Sequence, residues 1–147
     1  MTNYNFESYN IPGFFIRHFN FEGELTRQTG PIKDFAFSLV KRGQGQIAFK
    51  SVNFPDRRLR HQNFRIRLHA PAGPNDQLFR DDSTFTLLRG LADDEAFSFR
   101  SVNFPDRYLR HRDFHLWVEP PAHPDDELFQ KDATFYRRPA SVIIDHG

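Results

Sequence analysis

A chain of 147 residues with 38% hydrophobic and 27% charged side chains can bury a core of ordinary size, which excludes a disordered chain and predicts one globular domain over residues 1–147. Acids and bases are interspersed and the net charge is +1, so no concentrated basic field exists to hold nucleic acid, and none is expected as a partner. The absence of Cys excludes thiol catalysis, Cys-ligated zinc and disulfides.

Eighteen Phe and ten Pro against one Met favour short strands broken by turns, because Phe suits a pleated surface and Pro ends helices. The chain opens on "MTNYNFESYNIPG", which has neither a basic start nor an apolar run. No signal peptide is expected there, and no stretch reaches the roughly eighteen apolar residues of a membrane span. The compartment stays open between the cytoplasm and a secreted module whose leader has been removed.

The first recognisable phrase is "FESYNIPGFFIRH", Phe6 to His18. Alternation follows, with Phe21, Gly23 and Leu25 against Glu22, Glu24 and Thr26, predicting a strand. The stretch closes with "DFAF" from Asp34. A second copy begins at "FKSVNFPDRRLRH", Phe49 to His61, repeats the alternation in Phe64, Ile66 and Leu68, and closes with "DSTF" from Asp82. The third begins at "FRSVNFPDRYLRH", Phe99 to His111, continues through Phe114, Leu116 and Val118, and closes with "DATF" from Asp132. Residues 49–85 and 99–135 align at an offset of 50 with 21 of 37 pairs identical.

Each unit therefore predicts a strand, a Pro turn, a strand, an Asn or Asp turn, a strand, a Pro/Asp loop and a last strand. In the third unit the strands fall on "FRSVN", "YLRH", "HLWVE" and "ATFYRR". Three copies and no more point to closure rather than to an open array. The predicted fold is an all-β β-trefoil, three four-stranded repeats with pseudo-threefold symmetry and units near 1–45, 46–95 and 96–147. A β-sandwich is the runner-up, but it has no need of threefold repetition.

The residues that recur with chemistry on them are a His and an Asp. His61 to Asp82 and His111 to Asp132 are each separated by 21 positions, and His18 to Asp34 by 16, so the first unit has a shorter connection. A carboxylate beside an imidazole supplies an acceptor and a donor, the pair that a hydroxyl group needs. The structural alternative for Asp82 and Asp132 is a turn cap, which would not need a His at fixed spacing. Asn20, Asn63 and Asp113 suit either a tight turn or a ligand contact. Pro12, Pro55 and Pro105 read as turn residues, Phe14, Phe15, Phe54 and Phe104 as barrel or cap residues, and Arg17, Arg60 and Arg110 as structural. Trp117, on the polar side of its strand, reads as a sugar-stacking platform or a packing residue.

"SFRSVNFPDRYLRHRDF" followed by "ELFQKDATFYRRP" resembles the arabinofuranosidase B domain, carbohydrate-binding module family 42, over essentially the whole chain. The resemblance implies a β-trefoil that binds α-L-arabinofuranosyl side chains of hemicellulose such as arabinoxylan or arabinan, with one pocket per unit. By position it implies His111, Asp113 and Asp132, with Tyr108 and Phe114, in the third unit, and His61, Asn63, Phe64 and Asp82 in the second. The first unit offers His18, Asn20 and Asp34 beside a shortened loop, and the second departs from the third in having Arg58 where Tyr108 stands.

The expected function is non-catalytic carbohydrate binding in up to three His/Asp pockets by a lectin-like, multivalent monomer, without cofactor or metal. An enzyme is not expected. Acid pairs such as Asp81-Asp82 and Asp125-Asp126 are spread over repeated units instead of forming one asymmetric site, and no nucleophile recurs with the His. The competing classes are a lectin of other specificity, such as for galactosides, and a protein-binding trefoil scaffold.

Overall fold

The computed structural model describes residues 2–140, so the outermost parts of the first and third units, residues 1 and 141–147, lie outside the described residues. The first unit holds β1 (Asn3–Ser8), β2 (Phe14–Phe19), β3 (Glu22–Arg27) and β4 (Phe37–Gly43). The second holds β5 (Gln46–Ser51), β6 (Arg58–Gln62), β7 (Arg65–His69) and β8 (Phe85–Arg89). The third holds β9 (Phe97–Ser101), β10 (Tyr108–Arg112), β11 (His115–Glu119) and β12 (Phe135–Pro139).

The outer strands of the units pair around a ring, β12 to β1, β1 to β4, β4 to β5, β5 to β8, β8 to β9 and β9 back to β12. This closed barrel has no edge for another chain to extend. The inner strands form three hairpins, and β3, β7 and β11 touch pairwise to cap one end. The all-β trefoil predicted from the three copies is the fold that forms.

Phe6, Phe49 and Phe99, one from the first strand of each unit, meet on the pseudo-threefold axis. Their centroids are 4.8 to 5.7 Å apart in edge-to-face contact. All three are fully buried. Full burial of a Phe is worth about 1.5–3 kcal/mol and each ring pair about 0.5–1.5 more, so the aromatic composition supplies the barrel core. Ile16, Leu59 and Leu109 form the next layer and Leu25, Leu68 and Val118 the cap layer.

The cap has one irregular layer. A Cβ added to Gly23 would lie 2.6 Å from Ile66 and 3.1 Å from Leu116, the residues at the corresponding positions of the other units. One missing side chain makes room for two large ones. Arg65, buried just outside, donates from Nη1 to the carbonyls of Gly23 (2.6 Å), Ile66 (3.1 Å) and Leu116 (3.1 Å), one from each unit.

Two details differ from the sequence reading. The connection read as a Pro/Asp loop contains a short helix, α1 (Gln77–Asp82) in the second unit and α2 (Glu127–Asp132) in the third. Asp76 starts α1 by accepting from the backbone N–H groups of Ala72 (2.9 Å) and Phe79 (3.0 Å), and Asp126 does the same for α2. These bonds hold both capping carboxyls below their ordinary pKa. The first unit, five residues shorter here, makes a 3-10 turn over Ile32–Phe35 instead.

The second difference concerns Phe21, Phe64 and Phe114, expected as the first residues of the alternating strands. They occupy the second place of two-residue hairpin turns, after Asn20, Asn63 and Asp113. All six have φ between 52° and 64°. Two successive left-handed residues match the strand twist, but the second is normally Gly. A Phe there is strained in every unit.

Candidate functional site

Those strained turns border the site. In the second unit, His61 on β6 and Asp82 at the end of α1 lie side by side in the lining of a cleft of about 380 Å³. They do not touch within hydrogen-bond distance, since Nε2 and the carboxylate are 3.5 Å apart. Asn103, from the third unit, joins them. Its amide nitrogen donates to Asp82 (2.8 Å) and its oxygen lies 2.9 Å from His61 Nε2. With the amide oxygen turned to the ring, Nε2 must be the donor.

Ser101, also from the third unit, fixes this Asn. Its hydroxyl donates to the Asn103 oxygen (3.0 Å) and accepts from the Phe104 N–H (3.2 Å), shaping the turn that leads to the Pro. Arg60 bonds Asp82 through Nη2, braces the His61 carbonyl through Nε (3.1 Å), and lies over Phe79. The walls are aromatic and aliphatic. Phe64 packs edge-on against Phe104 at 5.1 Å, with the Arg107 guanidinium 3.7 Å from its centroid, and Leu78 closes the helix side.

The same set recurs at the other two unit boundaries. His18 meets Asn53 (2.8 Å), which donates to Asp34 (2.8 Å), while Arg17 bonds Asp34 at 2.7 Å and lies over Phe35. His111 meets Asn10 (2.8 Å), which donates to Asp132 (2.8 Å), while Arg110 bonds Asp132 and lies over Phe129. The wall pair is Phe21 with Phe54 in the first site, and Phe114 with Phe14 in the third, where Ile11 stands at the position of Phe54 and Phe104. The shortened first connection still delivers Asp34. It lacks the Leu wall, because Gly30 stands four residues before Asp34 where Leu78 and Leu128 precede Asp82 and Asp132.

The sequence reading placed each pocket inside one unit, whereas the structure builds every His/Asp site from two. His and Asp come from one unit, and Ser, Asn and an apolar residue from the next, with the third unit closing onto the first. Asn10, Asn53 and Asn103 were missed as site residues, although they stand within the repeated phrase. Phe54 and Phe104, read as barrel or cap residues, are 37% and 38% exposed on the cleft wall. Arg17, Arg60 and Arg110 do pair with acids, and those acids are the site carboxylates.

Asn20, Asn63 and Asp113 are exposed turn residues; Asn63 rims its cleft, while the Asp113 side chain is 84% exposed beside Arg112. Tyr108 points away from His111 and packs against Phe129 at 6.0 Å. Trp117 lies between the guanidinium groups of Arg65 and Arg112 and donates to the Arg112 carbonyl (3.3 Å), a packing role.

Burial is the main cause that lowers the His111 pKa, and Arg110 adds to it against the opposing pull of Asp132. The ring is thus held neutral as a single-proton donor on the Asn side. Each site carboxylate accepts from one Arg and one Asn, leaving about two of its four lone-pair positions unused by the described residues. The chemistry available is hydrogen-bond acceptance at a fixed anion beside an apolar wall.

Comparison with solved structures places the fold firmly. An arabinofuranosidase complexed with arabinofuranosyl-alpha-1,2-xylobiose superposes with TM-score 0.82 at 22% identity, over 95% of this chain and 31% of that one. A GH54 a-l-arabinofuranosidase soaked with a cyclic sulfate inhibitor gives 0.81 at 24%, with the same coverage. The BEL beta-trefoil gives 0.69 at 16% identity, over 94% of this chain and 92% of that one. The chain spans about a third of the arabinofuranosidases it matches. Comparison with curated protein sequences finds no match. The second and third copies of the repeated phrase, with Asp82 and Asp132, fall within residues 39–137, the segment matched by the model of the alpha-L-arabinofuranosidase B (ABFB) domain, and on that match the chain belongs to the alpha-L-arabinofuranosidase B domain family.

Proposed function

We propose that this chain is a non-catalytic module that binds non-reducing α-L-arabinofuranosyl groups of hemicellulose in three clefts, one at each boundary between units. The observation that carries the reading is the threefold recurrence of one set, a buried imidazole and a mostly buried carboxylate bridged by a half-buried amide, beside an apolar wall. A furanose presents hydroxyls that both donate and accept, and the open lone pairs of Asp34, Asp82 and Asp132 accept from them. Hydrogen bonds to a charged acceptor are worth about 1.5–3 kcal/mol net, enough to prefer one hydroxyl arrangement. The family match and the likeness to an arabinofuranosidase bound to an arabinofuranosyl xylobiose support the same ligand class.

Catalysis is not part of the proposal. Carboxylate-pair glycoside hydrolysis takes two acids flanking the bond, and the cleft of the second unit is lined by one, Asp82, already held by Arg60 and Asn103. Each site has few contacts, so individual affinities fall near −4 to −6 kcal/mol, millimolar to tens of micromolar. Three clefts on one rigid body raise retention on a branched polysaccharide through effective concentration. The test is a calorimetric titration with arabinofuranosyl-xylobiose, with a galactose-terminated oligosaccharide as comparison. Saturable heat with the arabinoside supports the proposal; heat only with the galactoside, or none with either, overturns it.

A further inference from the structure

A second cleft lies across α1 from the His61 site. It encloses about 330 Å³, and three arginines line it: Arg42 from β4, Arg58 from β6 and Arg80 from α1. Arg58 donates to the carbonyls of Pro55 (2.9 Å) and Arg57 (3.2 Å), and Arg42 to the Thr84 hydroxyl (3.4 Å). Among the described residues none of the three guanidinium groups bonds a carboxylate, and Arg58 Nε is buried with no partner. Asp76 and Asp56 line the same cleft; both oxygens of Asp76 are used by backbone N–H groups, and Asp56 favours the charged Arg58 without bonding it.

Burial, then the charges of Arg80 and Arg58, lower the Arg42 pKa, and burial lowers that of Arg58. Arg42 is thus close enough to the other two cations for their charges to act on it.

The repeat supplies an internal control. At an offset of 50, Arg58 and Arg80 become Tyr108 and Gln130, and Arg42 on β4, whose residues 37–41 pair as residues 85–89 of β8 do, becomes Gly90. The residues that shape the loop persist, with Pro71, Pro74, Asp76 and Phe79 matched by Pro121, Pro124, Asp126 and Phe129. Meanwhile Asn75 and Gln77 become Asp125 and Glu127. The third unit therefore builds the same loop with no arginine and a negative lining, so the scaffold does not require the cations.

The geometry points to a carboxylate-binding subsite in the second unit, recognising a uronic acid residue of the same polysaccharide whose neutral side chains occupy the His61 cleft. This assignment rests on the carbohydrate reading given above. Guanidinium groups match a carboxylate bidentately, Asn75 offers its amide and Gln77 its amide oxygen to ring hydroxyls, and Pro71 and Pro74 offer apolar surface to a pyranose ring. A free phosphate would use the cations and leave the amides and apolar surface idle. One helix separates the two clefts, with Leu78 and Asp82 facing one and Phe79 and Arg80 the other.

The test compares four probes on the whole chain at low salt: arabinofuranosyl-xylobiose, a glucuronic-acid-substituted xylo-oligosaccharide, the same oligosaccharide with its carboxylate reduced to the alcohol, and inorganic phosphate. The variant is the double substitution Arg58→Tyr, Arg80→Gln, which installs side chains that the third unit already folds with. The acidic oligosaccharide should bind the unsubstituted protein about tenfold or more tighter than its reduced form, and the variant should lose that difference while binding arabinofuranosyl-xylobiose unchanged. Equal binding of acidic and reduced forms, or a variant that keeps the difference, overturns the subsite. Phosphate displacing the acidic oligosaccharide at equal concentration overturns the uronic acid assignment. Failure of the arabinoside probe alone instead overturns the function proposed for the His61 cleft.

Discussion

Replacing Phe64 with Gly separates the cost of the site from the cost of the fold. Phe64 sits at φ 62°, and a left-handed residue with a Cβ costs about 1–2 kcal/mol. Gly removes that strain. It also removes the Phe104 contact at 5.1 Å, worth about 0.5–1.5 kcal/mol, and the Arg107 contact at 3.7 Å, worth about 0.5–1 kcal/mol at an exposed site. The two sides nearly cancel, so stability should stay within about 1 kcal/mol of the parent, a Tm shift of roughly 2–4 °C for a chain of this size. Binding should not cancel, because the wall of one cleft is gone. Calorimetric unfolding should show the small Tm change, and titration with arabinofuranosyl-xylobiose should lose one of three sites. A Tm drop beyond about 8 °C with all sites intact would refute the reasoning and make Phe64 a structural residue.

Three further outcomes follow from the core and the titrating groups. Arg65→Met leaves three carbonyls at the cap without their donor and the mostly buried Glu24 without its guanidinium ion-pair partner (3.3 Å), and should destabilise by about 3–5 kcal/mol in a denaturant titration. Gly23→Ala drives a methyl into Ile66 at 2.6 Å and should cost about 1–3 kcal/mol, measured the same way; an Ile66→Val background should recover part of it. His111 has a lowered pKa in the folded state, so below its ordinary value near 6.5 the unfolded chain binds more protons. Stability should therefore fall as pH drops through about 6.5 and below, and His111→Gln should flatten that part of the pH dependence.

The trefoil was legible because its period is long and written almost twice without change, and because three units are the number that closes a barrel. The His and Asp of each site were legible for the same reason. Their partner was not, since a reading along the chain groups residues within a unit, and closure brings the first turn of the next unit over the hairpin of the last. Asn103 is 42 positions from His61, and Asn10 is 101 positions from His111. The phrase itself carried the signal: Ser101 holds Asn103, Asn103 reaches Asp82, and Phe104 lines the wall, so its front half serves the preceding unit and its Arg-His serves its own. The short helices escaped notice because six residues are too few to show a 3.6 period, although Asp76 and Asp126 carry the capping signal. The positive φ of Phe21, Phe64 and Phe114 could not be read from a residue type that ordinarily sits in strands.

The boundary-spanning site is tested most directly by counting clefts in two variants. Asn103→Ala removes the amide that links His61 to Asp82, and Asn63→Gly keeps the left-handed turn while removing the side chain that the reading within one unit favoured. Titrated with arabinofuranosyl-xylobiose, the first should retain two sites and the second three. Three sites in Asn103→Ala and two in Asn63→Gly would contradict the account.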